Sequence, residues 1–178
     1  LPFVLHSCVP HVRPLPPLVL SDLPPLFSFP LAAAFLSLRP SLRLILRQAQ
    51  GSVVLTSSSF GLQPVAMPAA YGTSKAGVIH LSRIAAAEHL ADNIRINAIA
   101  PGRVETPIWT QTDQFKALEL ELGSRETALA AAAAEVRVPG DFTTAQVLAH
   151  QIDWLLSNEA EYITGTVLSN AGGLALLR

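Results

Sequence analysis

Residues 71–90 read YGTSKAGVIHLSRIAAAEHL, and the rest of the chain is organised around whether this stretch is a helix. It reads as one long helix, from about residue 70 to 90, with Tyr71 and Lys75 four positions apart. One helical turn separates them, so both side chains reach toward the same ligand. A free tyrosine has a pKa of about 10 and is a poor acid or base near neutrality, but an ammonium a few ångströms away favours the phenolate. Such a pair can pass a proton to or from an alcohol or a carbonyl. Lys75 is one of only two lysines, the other being Lys116, so it does not belong to a general coat of surface lysines.

Upstream, GSVVLTSS (51–58) is a short β-branched run opened by a glycine, the pattern of a fully buried strand. It ends thirteen residues before the tyrosine at Ser58, whose hydroxyl can hydrogen-bond the oxygen of a reacting carbonyl. Downstream, NIRINAIA (93–100) reads as a second strand, stopped by Pro101 and Gly102. YITGTVLSNAGG (162–173) supplies a last one. Between them, residues 114–136 read as helix interrupted by Gly123, and residues 143–158 as a helix with an N-cap in Thr143 or Thr144. Strands alternating with helices imply a parallel sheet joined by right-handed crossovers, hence an α/β layered fold. Ligands bind at the carboxyl ends of strands in such sheets, where Ser58 and the Pro101–Gly102 turn both lie.

The start of the chain has a different texture. VRPLPPLVLSDLPPLF (12–27) is proline-rich, and the first glycine anywhere is Gly51. Residues 1–30 are therefore expected to form an irregular arm. His6, Cys8 and His11 fall short of a metal site, being three candidate ligands without a fourth. From residue 31, LAAAFLSLRPSLRLILRQ spaces Arg39, Arg43 and Arg47 by four, which makes a helix despite Pro40. His80, His89 and His150 have no partners at metal spacing; Trp109 reads as a lid anchor and Trp154 as a core residue.

With 178 residues, half of them hydrophobic and 14% charged, the chain builds an ordinary buried core and is not a disordered sequence. A net charge of −1 gives no basic footprint for nucleic acid or an anionic membrane, and the early apolar runs are too broken by proline to span a bilayer. One cysteine allows no internal disulfide, which points to a cytoplasmic setting.

VVLTSSSFG, YGTSKAGVIHLSRIAAAEHL, IRINAIAPGRVETP and YITGTVLSNAGG together, in that order and spacing, resemble the C-terminal half of a short-chain dehydrogenase/reductase (SDR). The likeness runs from about residue 31 to the end. It implies a Rossmann-like parallel sheet flanked by helices and an oxidoreductase using NAD or NADP on a small alcohol or ketone. Tyr71 would be the general acid or base, Lys75 would lower its pKa and bind the nicotinamide ribose, and Ser58 would orient the carbonyl. Pro101, Gly102, Val104 and Thr106 would lie along the nicotinamide. The family also packs the helices corresponding to residues 31–48 and 70–90 across a two-fold interface, which implies a homodimer or homotetramer.

The sequence departs from the pattern at its start. The family opens on a strand and a glycine-rich turn for the dinucleotide diphosphate, and no glycine precedes Gly51 here. Pro30 aligns with the family's catalytic asparagine. The fold is thus expected to be incomplete, with the N-terminal nucleotide-binding half missing, three of seven strands present, and the edge of the Ser58-bearing strand left unpaired or captured by the proline-rich arm. A catalytically inert fragment, serving at most as a dimerisation or interaction module, is the alternative to an active enzyme. A lyase or epimerase on the same scaffold would use much the same tyrosine.

Overall fold

A computed structural model of the chain describes residues 2–6, 28–64, 69–133 and 142–174. Strand β1 spans Pro2–Leu5, β2 Gly51–Thr56, β3 Ile94–Pro101 and β6 Val167–Asn170, and they form one parallel sheet in the order β1-β2-β3-β6. Between them in sequence come helix α1 (Ala33–Leu46) and helix α2 (Ala69–Glu88), then the two-residue strands β4 (Val104–Glu105) and β5 (Thr143–Thr144), which pair with each other. The remaining helices are α3 (Pro107–Thr110), α4 (Asp113–Leu122), α5 (Arg125–Ala133) and α6 (Ala145–Leu156).

Strand alternation divides the core into two layers. Val53 and Leu55 of β2, with Ile94 and Ile96 of β3, pack under Ala34, Leu38 and Ile45 of α1 and Val78, Leu81 and Ala85 of α2. Val54 and Ile99 point the other way and meet Leu155 of α6, with Leu148, Ile152 and Leu156 around it. Because both faces are covered, β2 is apolar without alternation, as its VVL run requires. Arg39 and Arg43 of α1 and Arg47, which follows its last residue, are all exposed, and Pro40 sits exposed among them.

Two expectations fail. Residues 2–5 are not irregular: Pro2, Phe3, Val4 and Leu5 pair in parallel with Ser52, Val53, Val54 and Leu55. Proline is tolerated at the first position of an edge strand, and Phe3 and Leu5 pack against the α1–α2 layer while Val4 points away from it. Beyond them, a π-helical turn at Ser28–Ala32 holds Pro30 fully buried ahead of α1. The edge of β2 is therefore captured by the N-terminal segment, one of the two outcomes expected for it, and among the described residues the sheet has four strands where three were expected. Trp154, expected in the core, is 38% exposed; Leu155, the next residue, takes the inward position of α6.

The helices and strands β2 and β3 fall close to their expected bounds, whereas the last strand is shorter than expected, covering Val167–Asn170 of residues 162–173. Gly123 ends α4 in the left-handed region at φ 78°, separating it from α5, and Thr144 caps α6 by accepting from the Val147 amide. Residues 7–27, with most of the proline-rich arm and with Cys8 and His11, lie outside the described residues. Among the described residues no three histidine, cysteine or acidic side chains gather as metal ligands, and no helix is long and apolar enough to cross a membrane.

Candidate active site

The site grows from the carboxyl end of β2. The Ser57 amide donates to Ile99 O at 2.8 Å, prolonging the ladder with β3, and Ser57 Oγ donates to Lys75 O at 2.7 Å, tying the strand end to α2. Ser58 is extended and caps a 3-10 turn over Ser59–Gly61, its Oγ accepting from the Phe60 amide at 3.3 Å. This turn lies directly on α2. A Cβ at Gly61 would come within 2.7 Å of the Lys75 carbonyl carbon, and one at Gly72 within 3.0 Å of Phe60 O. At Gly61 only glycine permits that approach, and at Gly72 a side chain would be tight. Phe60 then meets the Tyr71 ring edge-on, with centroids 6.3 Å apart.

These contacts bring Ser58, Tyr71 and Lys75 to one edge of the sheet. Lys75 is 1% exposed, and its Nζ donates to Thr56 O at 3.1 Å. The same Nζ stands 5.7 Å from the centroid of the half-buried Tyr71 ring, within cation–π range. Taking an ammonium out of water costs several kcal/mol, so its surroundings have to be polar, as the Thr56 carbonyl makes them.

The second half of the site comes from β3, the neighbour of β2, with Thr56 paired to Ile99. Pro101 ends β3 opposite Asn170, and the Gly102 amide donates to Asn170 O at 2.7 Å. A Cβ on Gly102 would lie 2.9 Å from Ala171 Cα. Val104 is buried in β4, and Thr106 occupies the N-cap position of α3 without capping it, its hydroxyl donating instead to Val104 O at 3.3 Å. Beyond it Trp109 packs edge-on against Phe142 at 5.7 Å, bridging the segment after β4 to the start of β5.

Sequence reasoning passed over Ser57, Gly61 and Asn97. Asn97 is fully buried in β3; its Nδ2 donates to Ile163 O at 2.9 Å and its Oδ1 accepts from the Thr166 amide at 3.1 Å. The available signal is an asparagine flanked by Ile96, Ala98 and Ile99 within a strand, which must find partners when buried.

Residues 22–175 match the family described as enoyl-(acyl carrier protein) reductase. The chain belongs to the short-chain dehydrogenase/reductase family. The match begins nine residues before position 31. The 3-oxoacyl-[acyl-carrier-protein] reductase FabG of Thermotoga maritima is 36% identical over 133 residues, which cover 74% of this SDR chain and 48% of that protein. Levodione reductase of Leifsonia aquatica is 33% identical over 146 residues, covering 82% and 53%. A crystal structure of levodione reductase superposes with a TM-score of 0.82 at 27% identity, over 99% of this chain and 67% of that one. This SDR chain thus spans about half the length of the curated relatives it matches.

Proposed function

We propose that this SDR chain carries the proton-transfer machinery of an NAD(P)-dependent oxidoreductase that interconverts an alcohol and a ketone in the cytoplasm. The observation that carries the reading is Lys75: an ammonium with 1% exposure, fixed by Thr56 O and standing 5.7 Å from the centre of the Tyr71 ring. Packing alone does not ask for a buried charge there, since an apolar side chain of similar volume is generally as stable.

In reduction Tyr71 gives its phenolic proton to the oxygen of the carbonyl substrate, and in oxidation it takes the hydroxyl proton. The Lys75 ammonium stabilises the phenolate left behind. Ser58 donates to the substrate oxygen and holds it toward Tyr71. The residues present fit the nicotinamide–ribose end of NAD or NADP: Tyr71 and Lys75 on one side, with Pro101, Gly102, Val104 and Thr106 along the neighbouring strand end. When bound, that cofactor supplies or accepts the hydride. For the diphosphate end, the sequence offers no glycine before Gly51.

Calorimetric titration of residues 1–178 with NADH and NADPH tests the reading, with Tyr71→Phe and Lys75→Met as controls. Micromolar binding that weakens in Lys75→Met supports it. A folded protein that takes up neither nucleotide at millimolar concentration removes it and leaves the non-catalytic module.

That second reading has its own support. Phe35, Leu36 and Leu44 of α1 and Ile84 of α2 are 54%, 75%, 49% and 44% exposed on the two helices that cover the same sheet face. A homodimer burying these residues accounts for them, and sedimentation velocity of the wild type against Leu36→Asp distinguishes a dimer from a monomer.

A further inference from the structure

One residue touches both of the groups that meet the substrate oxygen in the function proposed above. The Phe60 amide donates to Ser58 Oγ at 3.3 Å, and the Phe60 ring stands edge-on to the Tyr71 ring, with centroids 6.3 Å apart and planes at 86°. The two contacts use different parts of Phe60, its main chain for Ser58 and its side chain for Tyr71. The turn that carries Phe60 is itself seated on α2. A Cβ at Gly72, the residue after Tyr71, would lie 3.0 Å from Phe60 O, and Gly61 abuts the Lys75 backbone.

Each contact has a chemical consequence. A serine hydroxyl has one proton to donate and two lone pairs. Ser58 Oγ takes the Phe60 N–H on a lone pair, so its own proton stays available for a substrate oxygen. Tyr71 has a different need. Lys75 is 1% exposed and its Nζ is fixed by Thr56 O at 3.1 Å, whereas the Tyr71 ring is half-buried, and a change of χ1 rotamer carries its oxygen away from the ammonium. An edge-on aromatic neighbour favours one ring orientation beyond what apolar cover alone does. Phe60 supplies that neighbour while Lys75 Nζ stands 5.7 Å from the same ring centroid.

We propose that Phe60 is a positioning residue that directs Ser58 and Tyr71 to one reacting oxygen: its amide turns the Ser58 proton outward, and its ring holds Tyr71 in the rotamer that faces Lys75. The proposal rests on the reading of Ser58, Tyr71 and Lys75 given above, and it adds to them an aromatic requirement at position 60.

The experiment uses neither cofactor nor substrate. The chain has two tyrosines, Tyr71 and the fully exposed Tyr162, so protein labelled with 13Cζ-tyrosine gives two signals that Tyr71→Phe assigns. Ionisation of Tyr71 is followed by NMR in the wild type, in Phe60→Leu and in Lys75→Met. Leucine keeps the amide that binds Ser58 and most of the apolar cover, and it removes the flat ring. The expected result is a Tyr71 midpoint about half a pH unit higher in Phe60→Leu, a roughly threefold weaker acid, because the phenolate then spends less time beside the ammonium. An unchanged or lower midpoint in Phe60→Leu overturns the proposal and leaves the Tyr71–Lys75 pair standing if Lys75→Met raises it. A midpoint that Lys75→Met does not move removes the pair itself, and the role of Phe60 with it. If Phe60→Leu does not fold, the wild type decides: cross-relaxation between the Phe60 and Tyr71 rings with a single Tyr71 χ1 rotamer supports the proposal, and averaging over rotamers overturns it.

Discussion

Ser57 Oγ and the Lys75 carbonyl oxygen are joined by a 2.7 Å hydrogen bond, buried between the end of β2 and the first turns of α2. The bond spans eighteen residues of sequence and fixes the strand that presents Ser58 against the helix that presents Tyr71. Ser58, by contrast, spends its hydroxyl on the local Phe60 amide. Ser57→Ala is therefore expected to cost about 1–2 kcal/mol of folding stability, and Ser58→Ala less than about 1 kcal/mol. Urea unfolding of the two variants checks the order, and an equal or larger loss in Ser58→Ala contradicts it.

Gly61 is held to glycine by contact and Gly123 by conformation. A Cβ at Gly61 meets three backbone atoms of Lys75 and Ala76 at 2.7–2.9 Å, and backbone cannot rotate out of the way. Gly123 has open space around it but a φ of 78°. Gly61→Ala should cost about 3 kcal/mol through displacement of the Ser59–Gly61 turn. Gly123→Ala should cost about 1 kcal/mol of left-handed strain. Thermal denaturation ranks them, and a Gly61→Ala protein as stable as Gly123→Ala would show that the turn does not rest on α2.

The parts of the fold that could be read in advance are those whose signal is local. α2 follows from its own twenty residues, β2 from VVL between two helical stretches, and the Tyr71–Lys75 pair from a one-turn spacing that only a helix turns into proximity. β1 was not legible, because PFVL is too short to show a period and is followed by a proline-rich run; its pairing depends on β2, almost fifty residues away. Neither was the closeness of Gly61 to Lys75, since a glycine in a loop looks the same whether it turns the chain or admits a neighbour. The Thr56 carbonyl that holds Lys75 belongs to the backbone and leaves no trace in residue identity.

Asn97 replaces part of a backbone ladder. Its amide group satisfies both Ile163 O and the Thr166 amide, linking β3 to the segment that leads into β6. Asn97→Ala removes both partners at a site with no exposure, so about 2–4 kcal/mol should be lost. Hydrogen exchange at the Thr166 amide is the specific readout: protection should fall there more than at the Ala98 amide, which donates to Thr166 O and keeps its own bond. Uniform loss of protection would mean that Asn97 serves general packing and not this bridge.

His6 makes stability depend on pH in a predictable direction. Its imidazole is held below 6.5 in the folded chain by desolvation and by the Lys75 ammonium, whereas in the unfolded chain it titrates near 6.5. Between those two values the unfolded state binds a proton that the folded state does not, so stability rises with pH through the window. The protein is therefore least favoured by this group below the folded value and regains the full contribution above about 6.5. The difference in melting temperature between pH 7.5 and pH 5.5 should be larger in the wild type than in His6→Gln, because the variant lacks the titrating group. Lys75→Met should also shrink it, and without the ammonium the His6 ring should titrate closer to its ordinary value. If His6→Gln and the wild type lose the same stability on acidification, the imidazole does not feel Lys75 in the folded chain.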